Sequence, residues 1–277
     1  PTVVTVHDLS VLLHPEWHPA DRVADFAAAF PRAIERADHV VAISETGRQE
    51  IIRTLGIAAH RVTRTYMGAR PAFVPLGRQA VAERLKALGL PPRYLLHVGT
   101  VEPRKNLMAL MRAYGDLPAG VRERCPLVLV GGWGWKSADV RAYLEGTARS
   151  RGVIHAGYVA EEDVAAVYNG ARALVFPTRY EGFGMPTVEM MACGGAVIAS
   201  TAGAVAEVAA GQAHLIDPDD LEGWRDAMRR VIEDDDWRAG LCAGGVERAA
   251  RFTWERCAED TEKAYRAALG QDARKAA

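Results

Sequence analysis

The sequence predicts an α/β protein built on doubly wound parallel sheets, in two units of unequal completeness. Three observations carry that prediction. Short β-rich runs alternate with amphipathic segments along the chain, the pattern of βαβ units. Runs such as Ala173–Phe176 are apolar throughout, as strands buried on both faces are. A Pro- and Gly-rich stretch from Gly68 to Gly77 reads as a linker and divides the alternation into a short first series and a longer second one.

In the first series Thr2–Val6 and His39–Ile43 read as strands, with a helix from about Asp21 to Arg36 between them, and Arg61–Tyr66 as a third strand. The second begins at Arg93. Its strands are expected at Tyr94–Val98, Leu127–Val130, Val153–His155, Ala173–Phe176 and Ala196–Ala199, with a short one near Ala213–Ile216. Helices separate most of them. Leu107, Leu110, Met111 and Tyr114 fall on one helical face, and Trp224, Ala227, Met228 and Val231 repeat that spacing. Both stripes read as core-facing surfaces. Thr253 opens a final helix, and a charged tail follows Gly270. The second series makes a complete doubly wound domain, whereas the first supplies about three strands, fewer than a nucleotide-binding fold uses. The chain starts directly in a strand without an initiator Met, so the expectation is an N-terminal domain lacking roughly its first half.

Length and composition, 277 residues with 49% hydrophobic and 25% charged, suit a globular chain able to bury more than one core. A formal net charge of −1 gives no electrostatic case for nucleic acid as a partner. Charge is uneven, however: Ser44–Arg93 holds nine Lys/Arg against three Asp/Glu. That stretch is either a solvated basic face or one turned to an anionic substrate or a membrane surface. The four cysteines show neither CxxC nor metal spacing, as expected of free thiols in a reducing cytosol. No signal-peptide pattern and no apolar run of membrane-spanning length is evident. Cytoplasmic placement is the expectation, with peripheral association at the inner face of a membrane left open. The oligomeric state is not legible.

Two segments carry chemistry. In Glu-Gly-Phe-Gly-Met-Pro-Thr-Val-Glu (181–189) two carboxylates flank a glycine-rich turn after an apolar strand, and Pro186 is placed to start a helix. The reading is strand, exposed loop and helix N-terminus, which offers free N–H groups and partial positive charge to an anion. Glu189, about one turn into the helix, suits the vicinal diol of a ribose. In Gly-Thr-Val-Glu-Pro-Arg-Lys-Asn (99–106) a strand ends in a glycine turn, and Arg104 and Lys105 precede a helix. Cations there are misplaced against the helix dipole unless an anion joins them. Arg forks onto phosphate oxygens and Lys adds a point charge. Phosphate, ribose and a further hydroxylated group together suggest a nucleotide-sugar. His14 and His18 have prolines around them that block a metal-binding helix. Gly131-Gly-Trp-Gly lacks the spacing of a dinucleotide loop, and Trp133 and Trp135 read as cleft-shaping or packing residues.

With Val-His-Asp-Leu (6–9), Ala-Ile-Ser-Glu (42–45), Leu-Val-Gly-Gly (129–132), Ala-Gly-Tyr-Val (156–159), Met-Ala-Cys-Gly (191–194) and Ile-Asp-Pro (216–218), these segments follow one another as in retaining glycosyltransferases of family 4, which the chain resembles over nearly its whole length. The resemblance implies the GT-B fold, two Rossmann-like doubly wound domains. Residues 1–77 would be the partial acceptor-side domain and linker, 78–252 the donor domain, and 253–277 a helix crossing back. It further implies that Arg104 and Lys105 clamp the donor diphosphate and stabilise the leaving group. By the same resemblance Glu189 binds ribose, and Glu181 with the backbone of Phe183, Gly184 and Met185 grips the transferred sugar. Tyr158 and Val159 read the base through their backbone, Gly99 turns against the donor, and His7 faces the sugar across the cleft.

No metal or other cofactor is implied. The donor is a nucleotide-diphosphate sugar, with GDP-mannose preferred because the start resembles bacterial mannosyltransferases of surface polysaccharide synthesis, and UDP-hexoses and dTDP-rhamnose are left open. The acceptor implied is a saccharide or lipid-linked group, with retention at the anomeric carbon. The sequence departs from the family at Tyr66–Ala69, at Gly195-Ala196 and at Ala206, none of them a named ligand, and it has no counterpart of the family's N-terminal glycine-rich loop. Two other readings stay open: a non-catalytic nucleotide-sugar binding fragment, and a GT-B epimerase acting on UDP-N-acetylglucosamine without an acceptor.

Overall fold

The structure is a computed structural model that describes residues 1–270, and it contains two parallel sheets. The first is β1 (Val3–Val6), β2 (His39–Ala42) and β3 (Val62–Arg64), hydrogen-bonded in that order. The second comprises β4 (Tyr94–Val98), β5 (Leu127–Val130), β6 (Val153–Gly157), β7 (Ala171–Phe176), β8 (Ala196–Ser200) and β9 (His214–Ile216), in the order β6-β5-β4-β7-β8-β9. Counted from β4 this is the doubly wound order, and its switch point lies between β4 and β7. The predicted strands are all present, with shifted ends. β7 begins at Ala171 because that residue still pairs with Tyr94, and β6 continues to Gly157, which pairs with Val130.

Strict alternation along the strands builds two cores on the second sheet. Leu95, Leu127, Leu129, Ala173 and Val175 face helices Leu107–Gly115 and Leu221–Glu233, where the two predicted stripes are buried. Leu96, Val128, Val130, Leu174 and Phe176 face helices Met185–Ala192, Glu161–Gly170 and Arg78–Ala87. A sheet covered on both faces explains the apolar runs. The first sheet has its own smaller core of Val6, Leu9, Val40, Ala42, Ile51, Ile57 and Val62.

The final helix, Trp254–Ala268, is capped by the Thr253 hydroxyl, which accepts from Arg256 N, and it packs back on β1, β2 and β3. The linker is pinned beneath its start. A Cβ on Gly68 would lie 2.3 Å from Trp254 N, and Ala69 N donates to Phe252 O at 2.9 Å. Only a glycine lets the two backbones meet so closely. Among the described residues no helix is long and apolar enough to cross a membrane. The tail expected after Gly270 lies outside the described residues.

Candidate functional site

At the carboxyl ends of β4, β5 and β6 three loops stack side by side. A Cβ on Gly131, after β5, would fall 2.1 Å from Gly99 O, after β4, and Gly131 N donates to Gly157 O at 2.8 Å. Both Gly99 and Gly131 have positive φ. Beyond Gly157, Tyr158 is 82% exposed at the rim, while Val159 is buried. The predicted base-reading segment therefore borders the same edge as the Gly99 turn.

The β4 and β7 loops meet at the switch point and bring together Arg104, Lys105 and Glu181. Arg104 donates from Nη1 to Glu181 Oε2 at 3.2 Å and from Nε to Glu102 Oε1 at 2.6 Å, and Asp8 Oδ2 stands 3.8 Å away. Lys105 Nζ donates to Glu181 Oε1, with the Phe176 ring beneath the ammonium. The Thr178 hydroxyl lies 3.1 Å from the same oxygen. Burial works against the charge on Arg104, but Glu181, Glu102 and Asp8 outweigh it and hold the guanidinium above the usual arginine range.

The sequence reading puts Glu181 to Gly184 on an exposed loop, and the structure corrects it: all four residues are buried, Glu181 at 8% exposure. The loop is covered by the first unit. A Cβ on Gly182 would sit 2.0 Å from His7 O, so the β1 loop rests directly on it. The backbone of His7 thus reaches the site, and its side chain is exposed. The Phe183 side chain goes into the core beside Tyr66 and Phe252.

Gly184, at φ 95°, turns the chain into helix Met185–Ala192, with Pro186 in its first turn as expected. The N–H groups of Phe183, Gly184 and Met185 have no acceptor among the described residues, which leaves them for an anion or a hydroxyl. Glu189 lies on this helix and accepts from the Tyr168 hydroxyl at 2.6 Å through Oε2. Burial raises its pKa above the ordinary carboxylate value, against the pull of Tyr168 and Arg70.

Several residues of the site are missing from the sequence reading. Glu102 holds Arg104 and is buried; its place two positions before the arginine is the one signal that pointed to it. Tyr180 donates its hydroxyl to Glu50 and receives Leu9 N at 3.2 Å, which ties the β7 loop to the first unit. Glu207 accepts from Glu45 N and Thr46 N, each at 2.7 Å, at the start of helix Glu45–Leu55, and from Tyr66 at 2.8 Å. Such partners are distant in sequence and leave no local pattern. His14 stacks on Trp17, His18 tilts against Trp135, and Trp135 Nε1 donates to Trp17 O at 2.9 Å. The segment thus ties the first unit to the loop after β5.

Two parallel-sheet units docked across a cleft, with paired cations and a helix N-terminus at the switch point, define an α/β protein with the GT-B fold. Residues 92–234 match the family described as Glycosyl transferases group 1, and the chain belongs to it. It is 34% identical to the O-antigen chain mannosyltransferase B of Escherichia coli over 265 residues, which span 95% of this chain and 70% of that one. It is 32% identical to the serotype-specific mannosyltransferase WbdA of Escherichia coli, covering 91% of this chain and 32% of that one. The chain thus spans about a third of WbdA. Among solved structures, Anabaena HepE in complex with UDP and glucose superposes with a TM-score of 0.79 at 20% identity, over 95% of this chain and 71% of that one.

Proposed function

We propose that this glycosyltransferase moves mannose from GDP-mannose to a saccharide or lipid-linked acceptor at the cytoplasmic face of a membrane, with retention at the anomeric carbon. The mannosyltransferase names of the relatives support the sugar. The observation that carries the reading is the Arg104–Lys105–Glu181 cluster beside the unpartnered N–H groups of Phe183, Gly184 and Met185. As it stands, the two cations face three carboxylates, those of Glu181, Glu102 and Asp8. The donor diphosphate takes Lys105 and one edge of Arg104 from Glu181, and the released carboxylate turns to the sugar hydroxyls.

The chemistry follows from that exchange. The bond between the anomeric carbon and the diphosphate oxygen breaks, and Arg104 and Lys105 stabilise the negative charge on the leaving group. The acceptor hydroxyl attacks from the same face through an oxocarbenium-like state, and its proton passes to the departing diphosphate. The two side-chain cations and the helix N-terminus supply the positive charge, so the reading calls for no metal. Glu189 holds the ribose, Tyr158 and Val159 border the base, and Gly99 and His7 line the sugar side.

The test is incubation with GDP-mannose, UDP-glucose, dTDP-rhamnose or UDP-N-acetylglucosamine, each with and without a mannoside acceptor, with the anomeric configuration of the product read by proton NMR. An α-mannoside from GDP-mannose, lost in Arg104→Ala, is expected. Conversion of a donor without acceptor would indicate an epimerase, and binding without turnover a donor-binding fragment. Either result overturns the reading.

A further inference from the structure

Behind the donor loop, at the joint between the two units, a cavity of about 290 Å³ is lined by Arg64, Arg248, Arg251 and Arg256, with Tyr66 and Asp260. That is roughly ten times the ~30 Å³ share of one water in the liquid, ample for an oxyanion and its nearest waters. Four guanidinium groups face one lining carboxylate, and Asp260 itself pairs with Lys263 at 2.6 Å. Arg64 and Arg248 are half-buried while Arg251 and Arg256 are exposed, and charges drawn even partly from water are normally matched by opposite ones.

Here they are not. Arg64 donates to the Tyr66 hydroxyl at 3.3 Å and stacks on its ring, while its Nε is buried without a partner. Arg248 donates to the carbonyls of Val208 and Glu207, each at 2.9 Å, and Arg256 to Arg251 O at 3.2 Å. Among the described residues the ion-pair partner within reach is Glu247, 3.9 Å from Arg251, and Glu207 bears more distantly on Arg248. Glu207 lies behind Tyr66 with its carboxylate engaged by Tyr66, Glu45 and Thr46. Burial and the neighbouring Arg251 push the Arg248 pKa below the usual arginine value. The positive end of the 15-residue helix that starts at Trp254 adjoins the same space.

From this uncompensated charge we infer that the pocket is a binding site for a phosphate group, separate from the donor diphosphate. The Tyr66, Phe252 and Phe183 rings, in contact at 5.4 and 5.5 Å, wall it off from the donor loop. Arg64 ends β3, Arg248 and Arg251 come from the last turns of the second unit, and Arg256 belongs to the returning helix, so a bound phosphate ties the three together. The arginine contributed by β3 also accounts for part of the basic excess in Ser44–Arg93. The phosphate is either free or carried on a lipid headgroup.

Two arms separate these sources. In the first, melting temperature is followed against sodium phosphate and against sodium chloride of matched ionic strength, in the unsubstituted chain, Arg104→Ala and Arg64→Gln/Arg256→Gln. Saturable stabilisation by phosphate is expected that persists in Arg104→Ala, and in that background it is weakened roughly tenfold or more by the double substitution. In the second, the same proteins are sedimented with vesicles of phosphatidylglycerol and phosphatidylcholine or of phosphatidylcholine alone. Capture by the anionic vesicles that the double substitution abolishes identifies a lipid phosphate. Arg251→Gln, at an exposed position, replaces the double variant if that variant fails to fold. The inference is overturned if phosphate and chloride act alike while anionic vesicles capture all variants equally. It is also overturned if the phosphate effect disappears in Arg104→Ala and survives the arginine substitutions.

Discussion

Gly182→Ala tests how the two units are held together at the site. The added Cβ would lie 2.0 Å from His7 O, and the Asp8 Cβ would be 3.0 Å away. An ordinary carbon–oxygen contact is about 3.3 Å or more, so the β1 loop and the β7 loop must separate by roughly 1.3 Å. The obstacle is backbone, which cannot rotate aside as a flexible side chain does. Overpacking of this kind costs about 1–3 kcal/mol, and for a chain of this size each kcal/mol lowers Tm by about 2–4 °C. The effect on turnover is larger. A displacement of about 1 Å at a reacting centre reduces rate by on the order of 100-fold. On the proposed reading nucleotide binding rests on Glu189, Arg104 and the Gly99 turn, all within the second unit, and should change much less. Calorimetric titration with nucleotide beside a steady-state assay of sugar transfer separates the two. A variant that transfers sugar at the unsubstituted rate would show that the contact between His7 and Gly182 has no part in assembling the site.

Other predictions follow from the charged partners. On the proposed reading Glu189→Gln keeps the shape but removes the charge offered to the ribose, so donor affinity should fall about 10- to 100-fold by calorimetry, with Tm at neutral pH not lowered. Because its pKa is raised, Glu189 takes up a proton above the ordinary carboxylate range, and donor affinity should begin to fall at a higher pH than for an exposed glutamate. Its contribution to stability runs the other way: the folded state holds the proton more tightly, so stability is favoured at low pH and lost as pH rises through the raised value.

For Glu207, burial raises the pKa, but hydrogen bonds from Thr46, Glu45 and Tyr66 outweigh it and lower the net value. That stability is present above the ordinary carboxylate pKa and lost as pH falls through the lowered one. Glu207→Gln should therefore reduce stability by about 1–2 kcal/mol at pH 7, with a shallower acid limb in urea titrations. His97, buried on β4 with Nδ1 3.1 Å from Val175 O, has its pKa pushed down to about 3 by burial. The unfolded chain takes up that proton below about pH 6.5 and the folded chain does not, so stability drops by about 1.4 kcal/mol per pH unit from there towards 3. His97→Leu should remove about 2 kcal/mol of the loss seen between pH 7 and pH 5.

The second sheet was readable because its strands are buried on both faces. Leu174 and Val175 serve opposite cores, and the run Ala173–Phe176 that results is apolar without a gap. The helices were readable from stripes such as Trp224, Ala227, Met228 and Val231, which became core residues. What hid from the sequence was contact between distant segments. Nothing around Glu181 says that His7 and Asp8 will cover it, so a glycine-rich loop that looks solvated is buried. Nor does the Glu-Pro-Arg-Lys segment show that both of its cations share one carboxylate, because that carboxylate is Glu181, on the loop after another strand. The charge of the joint pocket was half visible, as a basic stretch around Arg64. Its other half arrives with Arg248, Arg251 and Arg256 when the last helix returns.

The most direct measurement is calorimetric titration of the chain with GDP, UDP and dTDP, alongside Arg104→Ala and Glu189→Gln. The account predicts saturable binding of one nucleotide, GDP, weakened at least tenfold by each substitution. Absence of binding by any of the three at millimolar concentration, or binding that neither substitution alters, would contradict the donor site proposed between β4 and β7.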